Sequence, residues 1–579
     1  MTTDQFLIIA LLLGLLALFA TDRFRLETMA IGGLALAAVL GLVPLGGIFS
    51  GLTSPAVITV IEVLLIVQAI SRSHIFDRIG GWLNRRGLRP HWLVIALCAV
   101  AACLSSVMNN VAAFSLMLPA CFSVMAQNRI PARWIFLPLS YATLMGGLWT
   151  SIGTPPNLIA STLLQQATGK PFAFLDFAPA GIAATLCGLL VMAAWLPRSL
   201  YVGVPAGEAP EEISPTRRVM TDLVALPRGS GRQTVGQLEG MLEGRVRNVV
   251  RAGKRLFPLK PDSIVSDGDH LLVEAHAVRL EACLASGAFA YAGGGENSRG
   301  QQIAAVVMPH SVLVGSCVAS LDPDNVPGVT ILRIEGESGR FEGAFEELPF
   351  RVGNLLLLEG EASAIRSFIG YYDLIEVAGN DGAARAATGW MPLLVFALGV
   401  SVSALGLLAP DIALGAVVAI FCLMGWLDLR LGLRNLNWSI IILLVAMLPL
   451  GTALATTGAA AAIAHGLIGL MPMASAPVAV IVLLTLAMLI TPFVNNTATL
   501  AILAPVALEV ARATGLSPQM LLMAVTMGAS LDFLTPFGHH NNMLAYSLGS
   551  YRFIEFVKVG WPVSLATGLA GAVALLFYW

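Results

Sequence analysis

Long apolar segments are the feature that most constrains what this chain can form. Several runs approach the roughly 20 residues that an α-helix needs to cross a bilayer, namely 6–20, 29–47, 177–197, 391–410, 439–462 and 561–579. Hydrophobic residues make up 57% of the 579-residue chain, and charged residues only 12%. The sequence therefore predicts an α-helical polytopic membrane protein. The first run lacks a basic flank and a small-residue cleavage site, so we interpret it as a retained helix rather than a signal peptide.

Charge and cysteine content argue against two classes of function. The formal net charge of −2 gives no support for a nucleic-acid partner. The seven cysteines form no C-x-x-C pattern, and most lie in apolar segments: Cys98, Cys103, Cys121, Cys187 and Cys422. We predict that they pack in the protein interior and neither bind metal nor carry redox chemistry.

The interval between about residues 200 and 387 differs from the rest, because its apolar runs are short and its charge is high. Two segments within it repeat one order: a strand, a short helix, a second strand, and an apolar strand after a turn at Gly268 or Gly353. A glycine-rich joint at 290–300 separates them. We predict a cytoplasmic α/β insert of two modules. The chain then has a first membrane repeat at 1–199, modules at 200–292 and 293–387, and a second membrane repeat at 388–579.

An internal repeat relates the two membrane parts. The segments SSVMNNVAAFSLMLPA and TPFVNNTATLAILAPVA align at an offset of 386 residues, and SIGTPPNLIAS and PFGHHNNMLAY at an offset of 385. The matching positions are Asn109 with Asn495, Asn110 with Asn496, Pro119 with Pro505, Gly153 with Gly538, and Asn157 with Asn542. Two landmarks at nearly one offset, on either side of a long insert, indicate two homologous halves.

Basic residues between the apolar runs predict how the halves are oriented, because cytoplasmic loops carry an excess of Lys and Arg. The residues assigned to the cytoplasm are Arg23, Arg25, Arg72, Arg78, Arg85, Arg86, Arg89, Arg129, Arg133, Arg198, Arg430, Arg434, Arg552 and Lys558, with Arg512 as an exception. This assignment requires 92–127 to enter and leave from one side as a re-entrant hairpin, and 133–167 to cross once with a break near 153–156. The second half then begins inside and is inverted relative to the first.

Inverted halves with interrupted helices at matching positions are typical of secondary transporters. A Pro or Gly break exposes backbone N–H and C=O groups that cannot face lipid but can face an ion or a substrate. Asparagine oxygens suit a hard cation such as Na⁺, whereas helix N-termini suit an anion. Asp532, His539 and His540 are ionisable groups at membrane depth, so they are candidates for proton coupling.

Four motifs, MNNVAAF, GTPPNLIAS, TPFVNNTAT and LTPFGHHNNM, resemble those of the divalent anion:sodium symporter family of the ion-transporter superfamily. The resemblance covers both membrane halves and the insert, and it is closest to a bacterial and algal branch that carries TrkA-C modules. The insert resembles a TrkA-C module at PDSIVSDGDHLLVEA, with Pro261, Ile264, Gly268, Asp269, Leu271 and Val273 in place. The second segment departs from that pattern, with Asn354 in place of aspartate.

This resemblance implies a homodimer in the bacterial inner membrane, with an elevator-like transport domain, a small anionic substrate, Na⁺ as the coupling ion and no other cofactor. It implies one sodium site at Ser105, Asn109, Asn110 and Gly153, and a second at Thr491, Val494, Asn496 and Gly538. The substrate site it implies comprises Asn109, Asn495, Thr497, Thr154, Pro155, His539, Asn157 and Asn542. Asn109 and Asn495 replace serine and Val111 replaces threonine, which favours sulfate or a related inorganic anion over a dicarboxylate.

Other interpretations of the same residues stay open. The asparagines at the hairpin tips are also suited to cap helices, and the glycines to form turns. A channel would explain the modules, but the sequence contains no T-V-G-Y-G filter. A metal-dependent enzyme would need a ligand set such as H-E-x-x-H, which is also missing from the sequence. Proton coupling in place of sodium is the nearest alternative. The position of the insert suggests gating, dimer contacts or a small-molecule ligand.

Overall fold

The structure, a computed structural model, is mostly α-helical and contains one β-sheet. It describes the chain except residues 1, 22–25, 72–84, 86, 129, 201–216, 227–232, 252–253, 276–278, 281–282, 285–286, 293–300, 309–310, 322–327, 338–342, 373, 378–389, 435, 437, 471–474 and 550. Most of the predicted joint at 290–300 lies outside the described residues. So do several basic residues on which the predicted orientation depends, among them Arg23, Arg72 and Arg129. The inverted relation of the halves therefore stays a prediction.

The described helices of the first membrane part are α1 (Thr3–Thr21), α2 (Leu26–Val39), α3 (Pro55–Ser71), α4 (Pro90–Ser105), α5 (Asn110–Asn128), α6 (Phe136–Gly146), α7 (Pro155–Thr168) and α8 (Ala178–Ser199). Three of them begin with proline, at Pro55, Pro90 and Pro155. Proline is well tolerated at the first helical position, because the N–H it lacks would have no partner within the helix. The helix starts are thus encoded locally in the sequence.

The described elements of the insert are β1 (Arg217–Ala225), α9 (Val235–Leu242), β2 (Arg245–Arg251), β3 (Lys254–Arg255), β4 (His270–Ala275), β5 (Phe289–Tyr291), β6 (Gln301–Val307), β7 (Val329–Glu337), β8 (Leu355–Gly360), α10 (Ala362–Tyr371) and β9 (Leu374–Val377). The described strands form one antiparallel sheet in the order β3-β2-β4-β1-β7-β8-β6-β9, with β5 also paired to β1. Strand β4 pairs with β1 and β2, and β8 pairs with β6 and β7 in the same pattern. The pairing of β1 with β7 joins these two units.

Turns at Gly268 and Gly353 have positive φ values of 80° and 76°, which favour glycine. In the first turn Asp269 accepts the N–H of Ser266 at 2.7 Å, and in the second Asn354 accepts the N–H of Arg351 at 2.7 Å. The asparagine that departs from the motif therefore makes the same turn hydrogen bond as the aspartate. The likeness to TrkA-C modules and the four-part division of the chain stay predictions.

The described helices of the second membrane part are α11 (Met391–Ala404), α12 (Pro410–Leu423), α13 (Leu429–Arg434), α14 (Trp438–Thr456), α15 (Ala459–Leu470), α16 (Ala476–Ile490), α17 (Asn496–Thr514), α18 (Pro518–Ser530), α19 (His540–Gly549) and α20 (Phe553–Tyr578). Within the described residues, four segments are long and apolar enough to cross a membrane: Ala178–Ser199, Ala476–Phe493, Asn496–Thr514 and Phe553–Tyr578. A fifth candidate is the pair of α14 and α15, which is bent by 69° at its break. Shorter apolar helices accompany them, as the predicted membrane protein requires.

Helical hairpins and interrupted helices occupy matching positions in the two halves. The hairpin of α4 and α5 turns at 106–109, and that of α16 and α17 turns at 491–495. The interruption between α6 and α7 spans 147–154, and that between α18 and α19 spans 531–539. The first interruption begins at Gly147, earlier than the predicted 153–156. We call 106–109 and 491–495 the first and second tips, and 147–154 and 531–539 the first and second breaks. With each of them we count the residues in the first turn of the helix that follows it.

Helices of one half pack in the same pairs as their counterparts in the other half. The matching pairs are α4–α6 with α16–α18, α6–α8 with α18–α20, α4–α8 with α16–α20, α5–α19 with α17–α7, α6–α19 with α18–α7, and α2–α14 with α12–α3. Several of these pairs join the two halves, so each hairpin packs against the interrupted helix of the other half. This exchange of contacts brings both tips and both breaks into one region of the protein.

Candidate functional site

The two hairpin tips are held by the same hydrogen bond. Ser105 ends α4 and donates from Oγ to Oδ1 of Asn110, the first residue of α5, at 2.8 Å. Thr491 donates from Oγ1 to Oδ1 of Asn496, the first residue of α17, at 3.0 Å. All four side chains are buried. Each hydroxyl has one proton, so its remaining lone pairs and those of the amide oxygen are available to a cation.

The neighbouring asparagines cap the helices that start at the tips. Asn109 accepts the N–H of Val111 at 3.0 Å through its side-chain oxygen, and Asn495 accepts the N–H of Ala498 at 2.8 Å. Asn495 also has a φ of 119°, a strained conformation for a residue other than glycine, and such strain concentrates at functional sites. Because these oxygens are used, the amide nitrogens are the groups that could donate to a substrate anion.

One asparagine braces each break. Nδ2 of Asn157 donates to the carbonyl oxygens of Gly147 at 2.9 Å and Thr150 at 2.7 Å. In the second half the matching bonds run from Asn542 to Asp532 and Thr535, at 2.8 and 2.9 Å. Thr154 donates to Oδ1 of Asn157 at 3.0 Å, so that amide is fully used within the protein. These bonds satisfy carbonyl groups that the interruptions free.

The second break is also bonded directly to the first half. Nδ2 of Asn541 donates to the backbone oxygen of Asn110 at 2.9 Å and to Oγ1 of Thr143 at 2.8 Å. Oγ of Ser140 donates to Oδ1 of Asn542 at 2.6 Å. These side chains are buried, so the bonds are shielded from water. The second break therefore fixes the position of the first tip and of α6.

Two glycines allow the chain segments of the site to approach closely. A β-carbon at Gly147 would overlap Oδ1 of Asn110 at the first tip. A β-carbon at Gly538 would overlap Oδ2 of Asp532 and would lie 2.9 Å from Cα of Pro492 at the second tip. The second break thus contacts the first tip through Asn541 and the second tip through Gly538.

His539 directly precedes α19 and caps that helix. Its Nδ1 accepts the N–H of Asn541 at 3.1 Å. A neutral imidazole with an acceptor at Nδ1 carries its proton on Nε2, which is then a donor for an anion. The ring centroid of His540 lies 6.3 Å from that of His539, with the two planes inclined by 58°. The two histidines therefore present their rings in different directions.

Asp532 is the buried acid of the second break. Its side chain is 1% exposed, and neither carboxylate oxygen has a hydrogen-bond partner among the residues that the structure describes. At the offset of 385 that relates the breaks, its counterpart in the first half is Gly147. At this pair of matching positions the second half therefore has a carboxylate and the first half has none.

The electrostatics of the site depend on helix ends, because its elements lack cationic side chains. The sequence contains no Lys or Arg within 90–128, 134–169, 475–511 or 513–551. The helices α5, α7, α17 and α19 all begin at the tips or breaks. Each N-terminus contributes partial positive charge and free N–H groups. The arrangement combines carbonyl and hydroxyl oxygens for cations with N–H groups for an anion.

A comparison with known families agrees with this geometry. The profile of the citrate transporter family matches residues 16–491 and 476–579, which is most of the chain. The chain belongs to the citrate transporter family. Members of that family, and the two relatives that match this chain over almost its full length at 26% identity, are transporters and not enzymes. The predicted transport function is confirmed at this level.

Relatives of this citrate transporter family member include two matched over almost their full length and one matched over part of it. The "Uncharacterized transporter sll0640" of Synechocystis sp. is 26% identical over 594 residues, which cover 97% of this chain and 95% of that protein. The "Uncharacterized transporter YfbS" of Escherichia coli is 26% identical over 601 residues, 96% of each chain. The "Sodium/sulfate cotransporter 2" of Chlamydomonas reinhardtii is 24% identical over 351 residues, 54% of this chain and 38% of that protein.

The sequence-predicted residues of this family member lie at its tips and breaks. The remaining ones are Gly153, packed on the backbone of Gly147; Pro155, which begins α7; and Val494 and Thr497, buried beside the second tip. Sequence reasoning missed Asn541, Ser140, Thr143 and Gly147. The sequence did contain a signal for Asn541, since it forms with Asn542 a third pair of adjacent asparagines, after those at 109–110 and 495–496. The side chains of Asn157 and Asn542 are occupied by bonds within the protein.

The insert contacts the helices that start at the site. A β-carbon at Gly353 would overlap the side chain of Ser547 on α19, and β9 packs against α5. Val306, Met308 and Leu355 of the insert join the same apolar core as the membrane helices. Helices α5 and α19 start at the first tip and after the second break. A displacement of the insert would therefore act directly on both.

A cavity of about 350 Å³ lies between the two units of the insert sheet. Its polar lining includes Asp222, His270 and Glu346, and its apolar lining includes Phe345 and Phe368. Nδ1 of His270 lies 3.2 Å from Oδ2 of Asp222. Burial raises the pKa of Asp222, with a further contribution from Glu346, and the hydrogen bond and charge of His270 oppose that rise. The cavity is suited to a small ligand with an apolar body.

Proposed function

We propose that the protein is a secondary active transporter that couples Na⁺ to symport of a divalent anion by an elevator-type mechanism. Sulfate or a related inorganic anion is favoured, and a dicarboxylate is next. The sodium ions would bind beside the Ser105–Asn110 and Thr491–Asn496 pairs, with Asn109 and Gly153 in the first site and Val494 and Gly538 in the second. The working unit would be a homodimer in the bacterial inner membrane.

The observation that carries this proposal is that both tips contact the second break. Asn541 bonds to the backbone of Asn110, and Gly538 lies against Pro492. The polar ends of interrupted helices from both halves therefore meet in one place. Such ends are tolerated at membrane depth where they surround a solute or water. A solute held there would contact both halves at once, as alternating access requires.

Charge supports the coupling of an anion to cations. Each helix N-terminus supplies the equivalent of about half an elementary charge, and the surrounding elements have no Lys or Arg. A dianion at the tips therefore needs additional positive charge. Two bound sodium ions would supply it, so anion affinity would depend on Na⁺.

The substrate class is supported by the donors near the tips. Nε2 of His539 and the amide nitrogens of Asn109 and Asn495 would offer several donors to a small oxyanion. The name of the Chlamydomonas relative adds sulfate as a candidate, and the family description adds citrate. Val111 lacks the hydroxyl that the related dicarboxylate transporters are expected to use. Sulfate is therefore the first substrate to test.

Proton coupling is the second candidate, and Asp532, His539 and His540 favour it. Each is an ionisable side chain at a break, where protonation would change the charge of the site. In this alternative, protons replace one or both sodium ions. The anion and the location of its site stay the same.

Uptake into proteoliposomes tests the proposed function. We expect an inward Na⁺ gradient at equal pH to drive accumulation of radiolabelled sulfate at least about tenfold above the rate without Na⁺, because the cations complete the anion site. Unlabelled citrate and succinate serve as competitors that rank the substrate classes. Accumulation driven by a pH gradient without Na⁺ would favour proton coupling instead. No accumulation of any of these anions under either gradient would contradict secondary transport.

We also propose that the insert regulates transport, with the cavity as the site of a small-molecule ligand. The support is the contact of the insert with α5 and α19, which start at the site. A ligand between the two sheet units would change their relative position and hence these contacts. The acidic lining indicates a cationic or hydrogen-bond-donating ligand.

Gly353→Ala tests this regulation, with Gly268→Ala as a matched control. Both glycines have positive φ, so each substitution costs the insert about 1 kcal/mol. A β-carbon at Gly353 meets Ser547, whereas one at Gly268 meets open space. We expect Gly353→Ala to change the initial uptake rate at least about threefold, which corresponds to at least about 0.6 kcal/mol, and Gly268→Ala to leave it unchanged. Equal rates in the two variants would contradict mechanical coupling through this contact.

A further inference from the structure

The second break contains a buried acid that the hydrogen bonds of the site leave unused. Asp532 is 1% exposed, and both of its carboxylate oxygens lack a partner among the described residues. Its backbone oxygen accepts from Asn542, so the chain on which it sits is fixed. The carboxylate therefore extends from a hydrogen-bonded stretch of backbone and has no hydrogen-bond partner of its own among the described residues.

We propose that Asp532 is a direct ligand of the cation in the second sodium site, and that this cation must bind before the anion. This inference rests on the proposed function and deepens it. It makes the two cation sites chemically unequal: the first is built from neutral oxygens, whereas the second has a formal negative charge. At the position in the first half that corresponds to Asp532, the chain has Gly147 and therefore no carboxylate.

Geometry places the carboxylate at the second site. Oδ2 of Asp532 lies so close to Gly538 that a β-carbon there would overlap it, and the same β-carbon would lie 2.9 Å from Cα of Pro492. Pro492 follows Thr491, whose Oγ1 lies 2.8 Å from the carbonyl oxygen of Ala529 and 3.0 Å from Oδ1 of Asn496. The carboxylate therefore lies near the chain that follows Thr491, whose hydroxyl is grouped with an amide oxygen and a backbone carbonyl oxygen. Such a set suits a hard cation.

Charge balance favours a cation as the partner of this carboxylate. An unpaired carboxylate at membrane depth is costly, and buried charges are paired or coordinate metals. No Lys or Arg occurs in the sequence segments 475–511 or 513–551 that build the second tip and break. The histidines of the same segments are His539 and His540, and Nδ1 of His539 is used by Asn541. A bound Na⁺ neutralises the carboxylate without a proton transfer.

The order of binding follows from the sign of the charges. A dianion that enters while Asp532 is bare meets a like charge in a region of low dielectric constant, which disfavours binding. Once a cation occupies the second site, the carboxylate is neutralised and the helix N-termini dominate. Asp532 would thus prevent the anion from binding and crossing without the cation.

The test compares the wild-type protein with Asp532→Asn and Asp532→Gly, the second of which copies the first half. Full-length protein in lipid nanodiscs is titrated with NaCl, and choline chloride keeps the ionic strength constant. The midpoint temperature of unfolding, measured without sulfate, reports Na⁺ binding. Binding of radiolabelled sulfate is then measured with and without Na⁺. Ser403→Ala on α11 is the matched control, because its buried hydroxyl also has no partner among the described residues and lies outside the tips and breaks.

We expect both Asp532 variants to raise the half-saturating Na⁺ concentration at least about tenfold, as the loss of a charged ligand predicts. We also expect them to bind more sulfate than the wild-type protein in Na⁺-free buffer. A misfolded variant would not gain binding, so this second readout separates the role of the charge from structural damage. The Ser403→Ala protein should behave as the wild type in both measurements.

Two results separate the inference from the proposed function. If both Asp532 variants kept the half-saturating Na⁺ concentration of the wild type and still required Na⁺ to bind sulfate, the inference would be overturned. The proposed sodium coupling would stand. A change in pH dependence with the Na⁺ midpoint unaltered would also overturn it, in favour of a proton-carrying role. A wild-type protein that shows no Na⁺ response at all would instead contradict the proposed sodium coupling.

Discussion

Asn110→Ala and Asn496→Ala should each abolish cation-dependent anion uptake while leaving expression near that of the wild type. Each amide oxygen forms a buried pair with a hydroxyl, from Ser105 at 2.8 Å or from Thr491 at 3.0 Å. Alanine removes that oxygen from the proposed cation site; the Ser105 hydroxyl then loses the acceptor described here, whereas the Thr491 hydroxyl keeps the carbonyl oxygen of Ala529. We expect uptake to fall at least about 100-fold, which corresponds to about 2.7 kcal/mol.

Initial rates of radiolabelled sulfate uptake under an inward Na⁺ gradient measure this loss, normalised to protein in the membrane. Gln127→Ala and Arg512→Gln are controls near the far ends of the same two helices, where the side chains are exposed. Both controls should retain uptake close to that of the wild type. Undiminished uptake in both asparagine variants would remove the assignment of the cation sites to the tips.

Asn542→Ala is expected to destabilise the protein itself, in contrast to the tip variants. Its side chain accepts from Ser140 and donates to the carbonyl oxygens of Asp532 and Thr535; the first two bonds are buried and the third is partly buried. Removing it leaves three buried polar groups with a partner lost, each at a cost of about 1 kcal/mol or more. We expect the free energy of unfolding to fall by about 3 kcal/mol, together with loss of uptake.

Thermal unfolding in detergent, followed by the monodisperse fraction, measures that change. Ser140→Ala removes one of the three bonds and should lower stability by about a third as much. Asn157→Ala, which disturbs the matching brace of the first half, should resemble Asn542→Ala. A stable Asn542→Ala protein with a raised KM for the anion would mean that Asn542 binds substrate, as the family resemblance implies, and does not act as a brace.

The tips and breaks could be located from the sequence because their signals are local. Proline at the first helical position, glycine pairs and paired asparagines each act within one or two turns of a helix. The internal repeat supports these assignments, because Asn110 corresponds to Asn496 and Asn157 to Asn542 at nearly the same offset. The predicted start of the first break was too late. The break was predicted near 153–156, but α6 already ends at Gly146, well before Pro155 begins α7.

The insert was also readable in outline, since alternating apolar strands and two glycine turns mark its two units. The substitution of Asn354 for aspartate had looked like a departure from the module. The structure explains it, because an amide oxygen accepts the N–H of Arg351 as well as a carboxylate accepts that of Ser266. The joining of both units into one sheet through β1 and β7 was not predictable from either segment alone.

The amino-acid sequence by itself determined that this chain is a helical membrane protein in two related halves, and which short stretches interrupt its helices. Only the tertiary structure decided what each polar side chain in those stretches does. Asn541 bonds to Asn110 across 431 residues, Asn542 braces the second break, and Asp532 lies against Gly538 without a hydrogen-bond partner in the described part of the chain. The physical reason is that hydropathy and helix-breaking act locally along the chain, whereas hydrogen-bond satisfaction in a buried site depends on which distant segments pack together.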